Sequence, residues 1–161
     1  MMGFFARFFA RAKPALSEAS ARDAGAIGGL HAASFRHGWS EQEVEALLID
    51  RAVIAHRVTF RGRLLGFIIS RMAADEAEIL SVAVAARAQG RGFARALLNL
   101  HLGRLAGLSV RAVFLEVDEN NTPAIRLYDR AGFREVARRP NYYTGDNGKP
   151  ATALVLRRGL S

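Results

Sequence analysis

Phe93, Ala94, Leu97, Leu98, Leu102 and Leu105 recur every three or four positions, so Phe93 to Ala106 is predicted to be a helix with an apolar side. Gly107 follows as its expected C-terminal cap. Upstream the pattern changes to β-type. Asp75 opens a turn, and Glu76 to Val84 reads as a strand. Arg51 to Phe60 and Leu64 to Arg71 are β-rich runs joined by Arg61-Gly62-Arg63, a hairpin signal. Arg111 to Val117 and Thr152 to Arg157 are further strands. Another starts at Phe133 to Val136 and extends toward Tyr143, and Ala15 to Ser20 forms a short first strand. Arg22 to Phe35 reads as a helix weakened by Gly25, Gly28 and Gly29. Ser40 and Glu43 make a capping box ahead of Val44, Leu47 and Leu48, which sets a second helix. Thr122 to Ala131 is a short helix ended by Gly132. The order is helices, antiparallel strands, one central βαβ unit, a helix and a closing antiparallel pair. That predicts a mixed α/β fold with a largely antiparallel central sheet flanked by helices.

Composition narrows the chemistry. With 161 residues, 50% of them hydrophobic, the chain can bury a core and is not globally disordered. There is no cysteine, which removes thiol nucleophiles, disulfides and zinc–thiolate sites. The net charge of +8 rests on 21 Arg and 2 Lys against 15 acidic residues. Such a surface suits polyanionic partners such as a cofactor with several phosphates or an RNA-rich assembly. The arginines lack the interleaved aromatics of an RNA-binding sheet, and direct DNA binding is not expected. His31, His37, His56 and His101 have no paired ligand spacing and read as surface or partly packed, so no metal is expected. No apolar run reaches membrane-spanning length, and a cytoplasmic location is expected.

Residues 1–14 stand apart as a basic, Phe-rich extension to a single domain over residues 15–161. Phe4, Phe5, Phe8 and Phe9 would share one helical face, with Arg7, Arg11 and Lys13 nearby. A membrane-surface or partner-docking helix and a packed extension both fit this pattern. A secretory signal does not, because the apolar core is too short.

The centre of the chain carries the chemistry. An apolar strand stops at Val84, a glycine-containing basic loop follows, and a helix opens directly from it. Loop and helix N–H groups then converge on one point, where a phosphate can sit. Gly90 and Gly92 let the backbone approach that ligand. There is no Walker sequence. Gly90-Arg91-Gly92 begins a dinucleotide-type G-x-G-x-x-G, but Arg95 stands where the third glycine belongs, and too little chain remains for a second parallel half.

Gln89-Gly90-Arg91-Gly92-Phe93-Ala94, with Val82-Ala83-Val84 before it, resembles the acyl-CoA-binding signature of the GNAT family of N-acetyltransferases. Arg87 can open a second frame of the same signature, but the helix register favours Gln89. Downstream, Leu115-Glu116-Val117, Asn121, Leu127-Tyr128 and Gly132-Phe133 resemble a further block of the family. The spacing is most similar to the branch that acetylates the N-terminal alanine of a ribosomal protein. Trp39-Ser40-Glu41 and Asn141-Tyr142-Tyr143 are similar to that branch as well, and the resemblance runs from about residue 15 to 157.

The resemblance implies an enzyme that uses acetyl-CoA as co-substrate and acts on the N-terminal α-amine of a protein by direct attack in a ternary complex. It implies that Val82 and Val84 offer backbone N–H groups to the acetyl carbonyl, on a strand splayed from its neighbour, and that Arg91 pairs with a cofactor phosphate. It further implies Glu116 as general base acting through water, Tyr128 as the acid that protonates the CoA thiolate, and Asn121 as a contact to the pantetheine arm. Trp39 and Tyr142 are the expected lining of the acceptor groove. Where that branch carries acidic residues before the last strand, this chain has Lys149-Pro150-Ala151-Thr152. Asp118, Glu119, Asp75 and Glu76 are the alternatives for holding a basic peptide. A GNAT acting on a lysine or small amine, and a non-catalytic CoA-binding or ribosome-docking module, remain open readings.

Overall fold

A computed structural model describes residues 13–145 and 148–160. The aromatic face expected of residues 4–9 and most of the Asp146-Asn147-Gly148 turn lie outside them. Seven strands form one sheet: β1 (Ala15–Glu18), β2 (Val53–Phe60), β3 (Arg63–Ala73), β4 (Glu76–Val84), β5 (Ala112–Asp118), β6 (Arg134–Thr144) and β7 (Pro150–Gly159). Their spatial order is β1-β2-β3-β4-β5-β7-β6, and only β4 and β5 run parallel. The helices are α1 (Ala24–Ser34), α2 (Glu41–Ile49), α3 (Phe93–Gly107) and α4 (Thr122–Arg130).

Local chemistry explains most of these boundaries. Arg61 (φ 49°) and Gly62 (φ 76°) are both left-handed, which makes the two-residue turn that matches strand twist between β2 and β3. The α2 capping box is present, with Ser40 Oγ accepting from the Glu43 N–H and Glu43 Oε2 accepting from the Ser40 N–H. The end of α3 differs from expectation. Gly107 lies inside the helix, and Ser109 (φ 67°) makes the reversal. The Val110 N–H then reaches back to the Leu105 carbonyl at 3.1 Å, a Schellman-type closure without glycine.

β3 is buried on both faces, and its continuous Leu65–Ser70 core run separates two apolar layers. On one side, α3 and α4 bring Leu97, Leu98, Leu102, Leu105 and Tyr128 against Ile68, Ile79, Val113 and Leu115. On the other, α1 and α2 place Ile27 and Val44 over Phe67, Ile69 and Ala83. The histidines correct the sequence reading, since His31, His56 and His101 are buried. His101 sits in a polar chain between α3 and the sheet. Its Nδ1 lies 2.7 Å from His56 Nδ1, and its Nε2 lies 2.6 Å from Ser70 Oγ. Paired this way, imidazoles can occupy the core without unmet polar atoms.

The feature that positions the site is a split in the sheet. β4 and β5 pair over only four positions, ending at Ile79 and Leu115. At the same level the β3–β4 register shifts, with Ser70 opposite Ile79 and Ile69 opposite Ser81. Leu80 is therefore an extra residue, a bulge that bends the second half of β4 away from β5.

Candidate active site

The loop that follows β4 is built as an anion cradle. The Ala85 N–H bonds the Leu65 carbonyl at 2.7 Å, and Ala86–Ala88 form a single 3₁₀ turn. Gln89 Nε2 then donates to the Val84 carbonyl at 3.1 Å, bracing the strand end against the loop. Gly90 (φ 76°) and Gly92 (φ 83°) are left-handed, and a Cβ added to either would meet nothing within 4 Å. Backbone conformation, not crowding, requires these glycines, and the space beside them is open. Gly92 is the N-cap of α3, and no side chain caps the helix. Its first turn contains no acidic residue, while Arg87, Arg91 and Arg95 are exposed around it. The first N–H groups of such a helix have no intrahelical acceptor, so a phosphate can take them.

The split leads from this cradle into the sheet. Because the Ala85 N–H points at β3, alternation turns the N–H groups of Val82 and Val84 the other way, toward the edge that β5 has left. Two donors thus line the opening on β4. A phosphate-bearing thioester fits this combination of cradle and donors.

Across the opening, β5, β6 and α4 bring an ionisable row together. Glu116 Oε1 accepts from Arg139 Nη1 at 3.1 Å, and the carboxylate side chain is 19% exposed. Tyr143 is half-buried beside it. Burial first, and the Glu116 charge second, push its phenol up to about 12. Tyr128 is buried, packs edge-on against Phe133 with centroids 5.7 Å apart, and is likewise pushed up to about 12, by burial and then by Tyr143. Tyr143 therefore links the two residues that the sequence singled out. Tyr142 is 52% exposed, with the Arg139 guanidinium 5.4 Å from its ring centroid.

Other predicted residues have local duties as well. Asn121 Oδ1 caps α4 by accepting from the Ala124 N–H at 3.3 Å. Trp39 does not join the row around Glu116. Its ring stacks on His31 with centroids 4.1 Å apart, and the Trp39 backbone N–H donates to His31 Nδ1 at 3.0 Å. Burial lowers the His31 pKa, which keeps that nitrogen an acceptor. Asp75 precedes and Glu76 starts β4, at the end opposite the split, and Asp75 lies 3.9 Å from Arg111, so neither faces the site. Asp118 and Glu119 lie two and three residues past Glu116, and Glu119 lies 3.9 Å from Arg138.

Sequence reading missed Tyr143, Arg139 and Arg36. Arg36 Nη1 donates to the Gly145 carbonyl at 3.0 Å, tying the α1–α2 connection to the end of β6. The Asn-Tyr-Tyr triplet was the available signal for Tyr143. A register irregularity between Arg139 and Tyr143 hid which tyrosine turns inward.

The model of the acetyltransferase (GNAT) family matches residues 26–133. The chain belongs to the GNAT family. It is thus an acetyl-CoA-dependent N-acetyltransferase. Among GNAT relatives, the [ribosomal protein bS18]-alanine N-acetyltransferase of Escherichia coli K12 is 32% identical over 117 residues, covering 73% of this chain and 78% of that protein. The solved ribosomal-protein-S18-alanine N-acetyltransferase from Escherichia coli superposes with a TM-score of 0.87 at 28% identity, covering 92% of this GNAT chain and 95% of that one. Ard1 from Thermoplasma volcanium gives 0.80 at 27% identity, covering 91% and 97%.

Proposed function

We propose that this GNAT enzyme acetylates the N-terminal α-amine of a protein, with the N-terminal alanine of ribosomal protein S18 as acceptor. The observation that carries the reading is the row Glu116–Tyr143–Tyr128 across the split from Val82 and Val84, in a chain that superposes over 92% of its length on a ribosomal-protein-S18-alanine N-acetyltransferase. An α-amine has a pKa of about 7.7–8.0 against about 10.4 for lysine, so deprotonation at neutral pH costs about 3 kcal/mol less. A carboxylate base suits that acceptor.

Gln89, Gly90, Arg91, Gly92, Phe93 and Ala94 would hold the cofactor's pyrophosphate, with Asn121 toward its pantetheine arm and Ala83 beneath the thioester. Bound there, acetyl-CoA supplies an activated acetyl group. The Val82 and Val84 N–H groups stabilise the negative charge that develops on the carbonyl oxygen. Glu116, held by Arg139, takes the amine proton through a water. Tyr128 donates a proton to the departing sulfur. Tyr142 and Tyr143 line the acceptor side. Attack is direct, in a ternary complex.

Initial rates with acetyl-CoA and a peptide beginning with a free alanine test this reading. Turnover with intersecting double-reciprocal lines is expected. Parallel lines would overturn the ternary mechanism, and absence of CoA release would overturn the acceptor.

A further inference from the structure

Among the described residues, Ser81 Oγ is the one buried side-chain oxygen or nitrogen without a hydrogen-bond partner. Ser81 is only 8% exposed. A buried hydroxyl without a partner is a stability liability that an apolar residue of similar size would not carry, so its presence asks for a reason outside folding.

Its place in the fold supplies one. Ser81 follows the Leu80 bulge directly and lies two residues past Ile79, the last β4 residue paired with β5. It stands opposite Ile69, which packs with Phe67 and Ala83 in the layer under α1 and α2. Ser81 therefore faces that layer. On β5, Leu115 belongs to the opposite layer under α3, so the next residue, Glu116, faces the same side as Ser81. The hydroxyl and the carboxylate thus stand on the two parting strands, on one face, at the root of the split. Ser81 lies two residues past the last β4 pair and Glu116 one residue past the last β5 pair.

We propose that the Ser81 hydroxyl positions the water through which Glu116 removes the proton from the acceptor amine. This rests on Glu116 being the base. Glu116 Oε1 is engaged by Arg139, which leaves Oε2 to accept from that water. Ser81 Oγ, Glu116 Oε2 and the amine give the water three polar partners, enough to hold it in a buried position. One O–H bond of the water breaks as its proton joins the carboxylate, and the ammonium returns a proton to the oxygen. The water is regenerated, Glu116 becomes a carboxylic acid, and the amine lone pair is free to attack. Ser81 exchanges no proton in this step, so it is a positioning residue.

Ser81→Ala is expected to lower kcat about tenfold or more, with KM for acetyl-CoA and for peptide within about twofold of wild type and Tm equal or higher. S81T and S81V share a shape and differ in the hydroxyl. The first should restore most of kcat and the second should not. Combined with E116Q, S81A should cost no further rate. Wild-type kcat in S81A and S81V beside a disabled E116Q would remove Ser81 and leave Glu116 as base. A lower Tm with a raised KM would mark Ser81 as packing only and overturn the proposal. Full activity in E116Q as well would remove the underlying base, and the proposal with it.

Discussion

Glu116 is readable as a strand-end carboxylate, and Tyr128 as a helix tyrosine, because each sits in a motif of fixed spacing. What joins them is not readable. Tyr143 and Arg139 reach the site through an irregular stretch of β6, where Asn141 has φ 58° and strand alternation fails. Glu116→Gln should lower kcat by about 10² or more with little change in acetyl-CoA KM, measured by CoA release. Tyr128→Phe should lower kcat while leaving the packing against Phe133 intact. The pH profile gives a sharper check. A free phenol loses its proton near 10.0, whereas burial holds that of Tyr128 near 12. Its proton is therefore retained throughout pH 8 to 10, and no fall in kcat with a midpoint near 10 is expected. Such a fall, present in wild type and absent in Y128F, would contradict the burial-raised pKa of Tyr128, whereas wild-type kcat in Y128F would contradict Tyr128 as the acid.

At the scale of elements, the βαβ unit and its loop were legible because glycine spacing and helical period agree. The split was not. Its cause is one extra residue, Leu80, and nothing in a run of alternating apolar residues marks which one bulges. Gly92→Ala would force a Cβ into the left-handed conformation at the mouth of α3, costing about 1–2 kcal/mol. It should lower Tm and raise acetyl-CoA KM several-fold, while peptide KM stays put. The polar chain that fastens α3 to β2 and β3 was also hidden, since isolated histidines carry no pairing signal. Burial, then His56, holds the His101 pKa down at about 3. An unfolded imidazole takes a proton near 6.5, so the folded state gains stability that is whole above pH 6.5 and lost as pH falls toward 3. At pH 5 the loss is about 2 kcal/mol from His101, and His31 and His56, also lowered, act in the same direction. Denaturant midpoints at pH 7.5 and 5 should differ accordingly, and the difference should shrink in His101→Gln.

The whole molecule sets the electrostatics. Most of the sheet's strands could be read from pattern, but the insertion of β7 between β5 and β6 could not, because pairing order after a long hairpin leaves no local mark. The +8 charge is unevenly compensated. Ion pairs on β6 engage Arg134, Arg138 and Arg139, whereas Arg87, Arg91 and Arg95 form none of the carboxylate pairs seen among the described residues. A cofactor with several phosphates should meet this end of the molecule. Its KM should therefore rise several-fold between 50 and 500 mM salt, and less steeply in Arg91→Ala. A salt-independent KM would separate the basic surface from cofactor capture.

The central claim is transfer of acetyl to a protein's α-amine. The direct test is incubation with acetyl-CoA and two peptides, followed by mass spectrometry to locate the added acetyl group. One peptide begins with a free alanine, and the other has the same sequence with a blocked N-terminus and an internal lysine. Acetyl on the α-nitrogen of the first peptide, and none on the second, is the predicted result. Acetyl on the lysine of the blocked peptide would contradict the account.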